Sequence, residues 1–266
     1  MSEADRDLLA RLESAVTDAG AVVLAGAARA AVIPGCADPG NPTTDLDRRV
    51  DAFLHGRLLA AFAGTEEVGY LSEERADDPA RLRARTLLIV DPIDGTRSLL
   101  LGRPEAAVSV ALWRDGEIEW GCVFNPFTAD VFTAVRGGGA TRGGRPIRTS
   151  VLAAPAEARL VMSVHEHDRG LLRGLDGVAH YTPVGSIAWK MALVAAGEAE
   201  ATVTAHPRHE WDVAAGTLIV AEAGGRVTDA RGDDLAFNRA DTTVRGLVVT
   251  NGPLHGWAGG LLSRLR

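Results

Sequence analysis

Five acidic side chains have the type and placement to do chemistry together: Asp47, Glu73, Asp91, Asp94 and Asp212. Asp91 and Asp94 sit in "VDPIDGT", directly behind the apolar run "LLIV". Two like charges this close, at the end of a buried strand, repel unless something positive lies between them. Pro92 stiffens the intervening turn, so both carboxylates can be held on one side with the Ile93 carbonyl beside them. Hard divalent cations take oxygen ligands, and Mg²⁺ is usually held by a few carboxylates, waters and substrate phosphate. Alone, "DPIDG" is equally an ordinary turn with solvated aspartates. It is not an EF-hand loop, because the alternating acidic ligands and the distal Glu are missing.

The other acids fall at the edges of elements. Apolar residues at Leu8, Leu12, Ala15, Val16 and Ala19 recur at helical spacing, so a helix is expected from Glu3 to about Ala31. "IPGCADPGNP" breaks it. "TDLD" fits a capping box opening a second helix at Thr44, which puts Asp47 in its first turn. After "LSEE" and "LLIV", the strands "AVSVALW" and "EIEWGCVF" pair through the Asp115-Gly116 turn, and "DVFTAV" follows. In the second half "RLVMSV" reads as a strand and "SIAWKMALVAAG" as a helix. "EATVT" is again a strand, and "EWDVAAGTLIVAEAGG" a helix opened near Asp212 and stopped by Gly224 and Gly225. The pattern is an α+β first lobe followed by an α/β second lobe.

Composition narrows the function classes. The 266 residues are 46% hydrophobic and 24% charged, ordinary for a globular chain of one large domain or two joined lobes. A net charge of −7 with no basic stripe disfavours nucleic acid or an anionic membrane as partner. No apolar run is long enough to span a membrane, and the acidic, amphipathic start is unlike a signal peptide, so a cytoplasmic location is the default expectation. Cys36 and Cys122 are the only cysteines and read as reduced thiols. The triple glycine 137–139 lacks a strand–GxGxxG–helix setting and reads as a hairpin turn. His165 and His167 lack zinc-site spacing and read as surface or supporting residues, and neither Ser109 nor Ser163 sits in a nucleophile elbow.

Taken together, "TDLD", "LSEE", "VDPIDGT", "GGGATRGGRPIRTS", "GSIAWKMALVAAG" and "EWDVAAGTLIVAEAGGRVTD" resemble the inositol monophosphatase superfamily, the lithium-sensitive, Mg²⁺-dependent phosphomonoesterases. The resemblance covers nearly the whole chain. It implies a layered α/β/α/β/α sandwich, with lobes at 1–150 and 151–266 and the site in the cleft between them. It implies metal ligation by Glu73, Asp91, the carbonyl of Ile93, Asp94 and Asp212, and a water-activating pair of Asp47 and Thr96, with Glu73 assisting. Two or three Mg²⁺ ions, replaceable by Mn²⁺, would activate water and neutralise the leaving oxygen. Gly95 and Thr96 would offer backbone N–H groups to phosphate. A homodimer and a small phosphorylated metabolite as substrate are expected on the same ground.

Within that resemblance the branch is mixed. Members acting on inositol monophosphate usually carry an acid seven positions before the "WD" aspartate, and here that position is Ala205. Lys190 and the "HPRHEWD" approach are similar to the 3′(2′),5′-bisphosphate nucleotidases, and Ser186, Lys190 and Arg208 are the expected substrate contacts. That points to 3′-phosphoadenosine 5′-phosphate, with inositol 1-phosphate, a sugar phosphate or histidinol phosphate as the alternative. The bland reading of Lys190 is a solvated helix lysine. A non-catalytic metal-binding protein of this fold would have lost a ligand, and none of these residues is lost.

Overall fold

The computed structural model describes residues 2–33, 42–64 and 66–265. Cys36 and most of the expected break in "IPGCADPGNP" lie outside them. Helix α1 (Glu3–Gly26) starts on a capping box of Ser2 and Asp5 and buries Leu12, Ala15, Val16, Ala19 and Val23. It stops short of the expected Ala31 because residues 27–29 tighten into a 3₁₀ turn. Helix α2 (Asp45–Ala60) begins as expected, with Thr44 as its cap.

Seven strands form the first sheet, side by side in chain order: β1 (Gly69–Ser72), β2 (Thr86–Asp94), β3 (Ala107–Arg114), β4 (Glu117–Asn125), β5 (Asp130–Val135), β6 (Gly139–Arg142) and β7 (Arg145–Ile147). β1 and β2 run parallel and the rest antiparallel. Asp115 and Gly116 make the β3–β4 turn, both at positive φ. One expectation changes here. "DPID" does not leave the strand as a turn but is the irregular end of β2, where pairing jumps from Asp91–Ser109 to Asp94–Ala107. The slip re-aims the side chains at the strand end, as a bulge does.

The second sheet runs in the order β12 (Arg226–Thr228), β14 (Leu247–Thr250), β10 (Ala201–Thr204), β8 (Arg159–Ser163), β9 (His180–Val184). β8 is parallel to β9 and β10, whereas β14 is antiparallel to β10 and β12. A small ribbon pairs β11 (Arg208–His209) with β13 (Thr243–Val244). Short helices α4 (Val164–Asp168) and α7 (His255–Leu261) flank this half.

The layers follow from which faces are apolar. Helices α1 and α2 cover one face of the first sheet through Leu12, Val16, Leu54, Leu88, Val110 and Trp120. Helices α5 (Ile187–Ala195) and α6 (Glu210–Glu222) fill the space between the sheets, hydrophobic nearly all round because both sides are buried. Their cluster joins Ile89 and Phe132 of the first sheet to Val161 and Val249 of the second, so one core runs through both. Close approach is enforced at Gly121, where an added Cβ would lie 2.9 Å from the Ala215 carbonyl oxygen. Deleting a core side chain such as Ile89 costs roughly 2–5 kcal/mol. The third cluster, around Leu160, Met162 and Leu254, lies between the second sheet and α7. This is the expected α/β/α/β/α sandwich.

Candidate active site

The end of β2 brings the acids together. One oxygen each from Glu73, Asp91 and Asp212 lies within 4.8 Å of the others. At an effective dielectric of about 20, two unit charges at that spacing repel by roughly 3–4 kcal/mol. The cluster therefore takes up protons or cations. Asp91, fully buried, has its carboxyl pushed well above the usual carboxylate range, first by burial and then by the charges of Glu73, Asp94 and Asp212. Asp212 is pushed up to about 7 by burial and by Asp94, with Arg208 pulling the other way. A buried, like-charged set of oxygen donors is the chemistry a hard divalent cation neutralises, so these residues fit Mg²⁺.

Each acid has its own local fixture. Asp91 Oδ1 accepts the Ile93 N–H at 3.0 Å, which locks the strand end. Asp212 accepts the His209 N–H at 2.7 Å as part of the cap of α6. Asp94 reaches across to the second half, where its Oδ2 accepts from Ser186 Oγ at 2.6 Å and from the Ala188 N–H at 2.5 Å.

Asp47 and Thr96 meet although 49 residues separate them. Thr96 heads the short helix α3 (Thr96–Leu100), and its hydroxyl lies 2.6 Å from Asp47 Oδ1 and 3.0 Å from the Ile93 carbonyl oxygen. A hydroxyl has one proton, and the shorter, charge-assisted bond takes it, leaving lone pairs to accept a proton from water. Asp47 Oδ2 is held by the Thr44 N–H at 2.8 Å and by the Thr44 hydroxyl. Both carboxylate oxygens are thus engaged, and burial raises the acid's proton affinity against those bonds. Before them, Gly95 adopts φ +97°, and a Cβ there would lie 2.7 Å from the Glu105 carbonyl oxygen, so only glycine fits.

The expected substrate contacts are placed less uniformly. Ser186 spends its hydroxyl on Asp94 and on capping α5, accepting the Trp189 N–H at 2.9 Å. Lys190 is not a solvated helix lysine: it is 4% exposed, its ammonium 3.4 Å from the Val184 carbonyl oxygen. Burial and Arg208 lower it to about 8, although Asp94 and Glu166 favour its charge. Arg208 lies 3.8 Å from buried Glu166, with its Nε–H without a hydrogen-bond partner. The glycines 137–139 form the expected hairpin, and the N–H groups of Gly137 and Gly139 hold the Glu222 carboxylate of α6, at 2.7 and 2.8 Å. His165 and His167 stand outside the acidic group; His167 edges onto Tyr181.

Sequence reading missed several supports. Asp51, one turn after Asp47, accepts from Ser72 Oγ at 2.7 Å and Arg75 Nε at 2.6 Å, which holds the segment bearing Glu73. The i,i+4 pair Asp47–Asp51 was the available signal. Glu74, beside Glu73, is pushed up to about 7 by burial and the Asp47 charge. Buried Arg81 donates to Asp77, to Asn238 Oδ1 at 2.9 Å and to the Arg239 carbonyl at 2.9 Å, while Glu210 accepts the N–H groups of Asn238 and Arg239. That clamp joins the segment after Glu73 to the helix carrying Asp212, and local sequence carries no mark of it. A cavity of about 840 Å³ lined by Tyr70, Arg83 and Arg85 lies elsewhere and touches none of the acidic cluster.

A Thr–Asp pair beside clustered carboxylates at the end of a strand is an arrangement suited to metal-assisted hydrolysis of a phosphate ester. Residues 5–265 match the model of the inositol monophosphatase family. The chain is 35% identical to the inositol-1-monophosphatase of Rhizobium meliloti, over 73% of this chain and 74% of that protein. It is 32% identical to the histidinol-phosphatase of Chlorobaculum parvum, over 72% and 74%. Among solved structures, the IMPase of Thermotoga maritima superposes with a TM-score of 0.82 at 26% identity, covering 94% of both chains. The protein belongs to the inositol monophosphatase family and is a phosphoric monoester hydrolase. The family generally depends on Mg²⁺ and acts on small phosphorylated substrates.

Proposed function

We propose that this phosphatase hydrolyses a small phosphomonoester with Mg²⁺ held by Glu73, Asp91, the Ile93 carbonyl, Asp94 and Asp212. The observation that carries the chemistry is the 2.6 Å bond from Thr96 to Asp47 beside the Glu73, Asp91 and Asp212 oxygens. Bound there, Mg²⁺ supplies charge neutralisation at the phosphate and acidifies water. The chain's own part is to take the water's proton on Thr96 Oγ1 as that hydroxyl passes its proton to Asp47. Gly95 and Thr96 present the backbone that faces the phosphate, and Glu73 assists from β1's end. Sensitivity to Li⁺ belongs to the same proposal.

For the substrate, 3′-phosphoadenosine 5′-phosphate is the first reading, because Arg208 and Lys190 bring positive charge to Asp212 and Asp94 and Ala205 offers no carboxylate. Inositol 1-phosphate is the second. It is supported by the relatives' names and by Glu166, which accepts from Thr204 Oγ1 and lies 2.9 Å from His206, the two neighbours of Ala205. Release of phosphate from both compounds, with Mg²⁺ and in excess chelator, tests the proposal. Activity that persists without divalent ions sinks the metal chemistry, and a higher kcat/KM for inositol 1-phosphate exchanges the two readings.

A further inference from the structure

Beside the acidic cluster lies a run of cations that the hydrolysis does not use, from Arg208, which acts on Asp212, to Arg97, next in the chain to Thr96. Arg97 follows Thr96 directly, and its Nη1 lies 2.5 Å from Nδ1 of His165. Arg169 reaches the other ring nitrogen of the same histidine, with Nη1 3.4 Å from Nε2. A guanidinium can only donate, so Nδ1 accepts from Arg97 and any proton on the neutral ring sits on Nε2. Nε2–H then has nothing to offer Arg169, whose nearest ring atom is itself a donor. Among the described residues neither arginine has a carboxylate within ion-pair distance. Both are exposed to the solvent.

The strip continues inward. Burial lowers the proton affinity of His165, the charges of Arg97, Arg169 and His206 act the same way, and Glu166 opposes them. His206 and Arg208 share a single acid, Glu166, which is already bonded to Thr204. Arg208 acts in turn on Asp212, which ties the inner end to the catalytic cluster, and its buried Nε–H has no partner. Arg97 and Arg169 thus carry two positive charges with no carboxylate in ion-pair distance among the described residues, and Arg208 meets Glu166 at 3.8 Å and also acts on Asp212. Mutual repulsion of Arg97 and Arg169 across one imidazole is relieved when an anion bridges them.

We infer that Arg97 and Arg169, spaced by His165, form a subsite for a second anionic group of the substrate, a phosphate or carboxylate distinct from the one hydrolysed. The inference rests on the phosphatase reading above and moves the specificity cation from Lys190, which is enclosed, to the two arginines. A planar guanidinium pair suits a tetrahedral phosphate better than a lone ammonium does. The substrate class is a small metabolite with a second acidic group besides the ester that is cleaved, and nucleoside bisphosphates belong to it.

The test compares 3′-phosphoadenosine 5′-phosphate with 3′-AMP, which has the same scissile ester and lacks the second phosphate. Wild type, Arg169→Ala, Arg169→Lys and Arg97→Ala are assayed with saturating Mg²⁺, after thermal melts show that each variant is folded. A charge-assisted contact is worth about tenfold or more in binding. The bisphosphate should therefore be preferred by at least about tenfold in wild type. Arg169→Ala should raise the KM for the bisphosphate by a similar factor at unchanged kcat, leave 3′-AMP unaffected, and be partly rescued by Lys. A wild-type preference that survives both alanine variants overturns the subsite and leaves the nucleotidase reading intact. Equal use of the two compounds by wild type, or failure to use either, overturns both. Equal losses on both substrates in Arg169→Ala mean a structural role and overturn the subsite.

Discussion

The two walls of the cleft hold their charges in opposite ways. Where α2 meets the end of β2, Asp47, Asp91 and Thr96 are each under 10% exposed; Thr96 and Asp47 bond to each other across elements, and Asp91 is fixed by the Ile93 N–H of its own strand. At the proposed subsite, Arg97 and Arg169 are exposed and, among the described residues, have no carboxylate within ion-pair distance, and Arg208 shares Glu166 with His206. Geometry that must not vary is held by burial and hydrogen bonds. Recognition is left to side chains that water can solvate and that mutation can change without unfolding the protein.

The sharpest way to break this contrast is Asp91→Asn. Activity should fall by about a thousandfold or more, in the range seen when a group required for metal-assisted chemistry is removed. The metal-free protein should melt at a higher temperature, because a repelling charge has been neutralised. Loss of activity together with a lower melting point would mean that Asp91 is structural. Next comes Thr96→Ala, expected to lower kcat about a hundredfold while Thr96→Ser keeps most of it, since only the hydroxyl relays the proton. Equal activity of the alanine variant and wild type would remove the relay.

A pH titration of metal binding sharpens the same wall. Asp212, with a proton held up to about 7, must release it to bind a cation. Calorimetric Mg²⁺ affinity should therefore strengthen between pH 6 and 8, by up to about tenfold per unit for one proton. The sign for the metal-free fold is the reverse. A raised acid means the folded state holds its proton more tightly, so that stability is present at low pH and lost as pH rises through 7. Affinity flat across that range would show that Asp212 does not ligate.

The smallest effect tests what joins the walls. Arg81→Lys keeps the charge but loses the fork that grips Asn238 and Arg239. Mn²⁺ binding should weaken several-fold with kcat at saturating metal nearly kept, because Glu73 and Asp212 are then less firmly set for one another. A fall in melting temperature without any change in Mn²⁺ affinity would make Arg81 a fold contact only.

Much of this was legible beforehand. The layered fold was implied by the family resemblance, while the start of α2 at Thr44 and the hairpin at Asp115-Gly116 follow from local patterns that the structure keeps. The carboxylates that converge were marked by their places at element ends. What local pattern cannot carry is long-range register. The slip at Asp91–Asp94 exists because β3 pairs there, and the Arg81 clamp bridges 157 residues. Lys190 misled for a related reason: on a helix enclosed by two sheets, every face is inside, so a lysine in the series says nothing about solvent.

The single core shared by both sheets has a mechanical consequence. Helices α5 and α6 belong to the packing of each half, so the halves have no seam along which to swing. Hinging one sheet against the other would have to uncover that core, at roughly 1.5–3 kcal/mol for each large apolar side chain exposed.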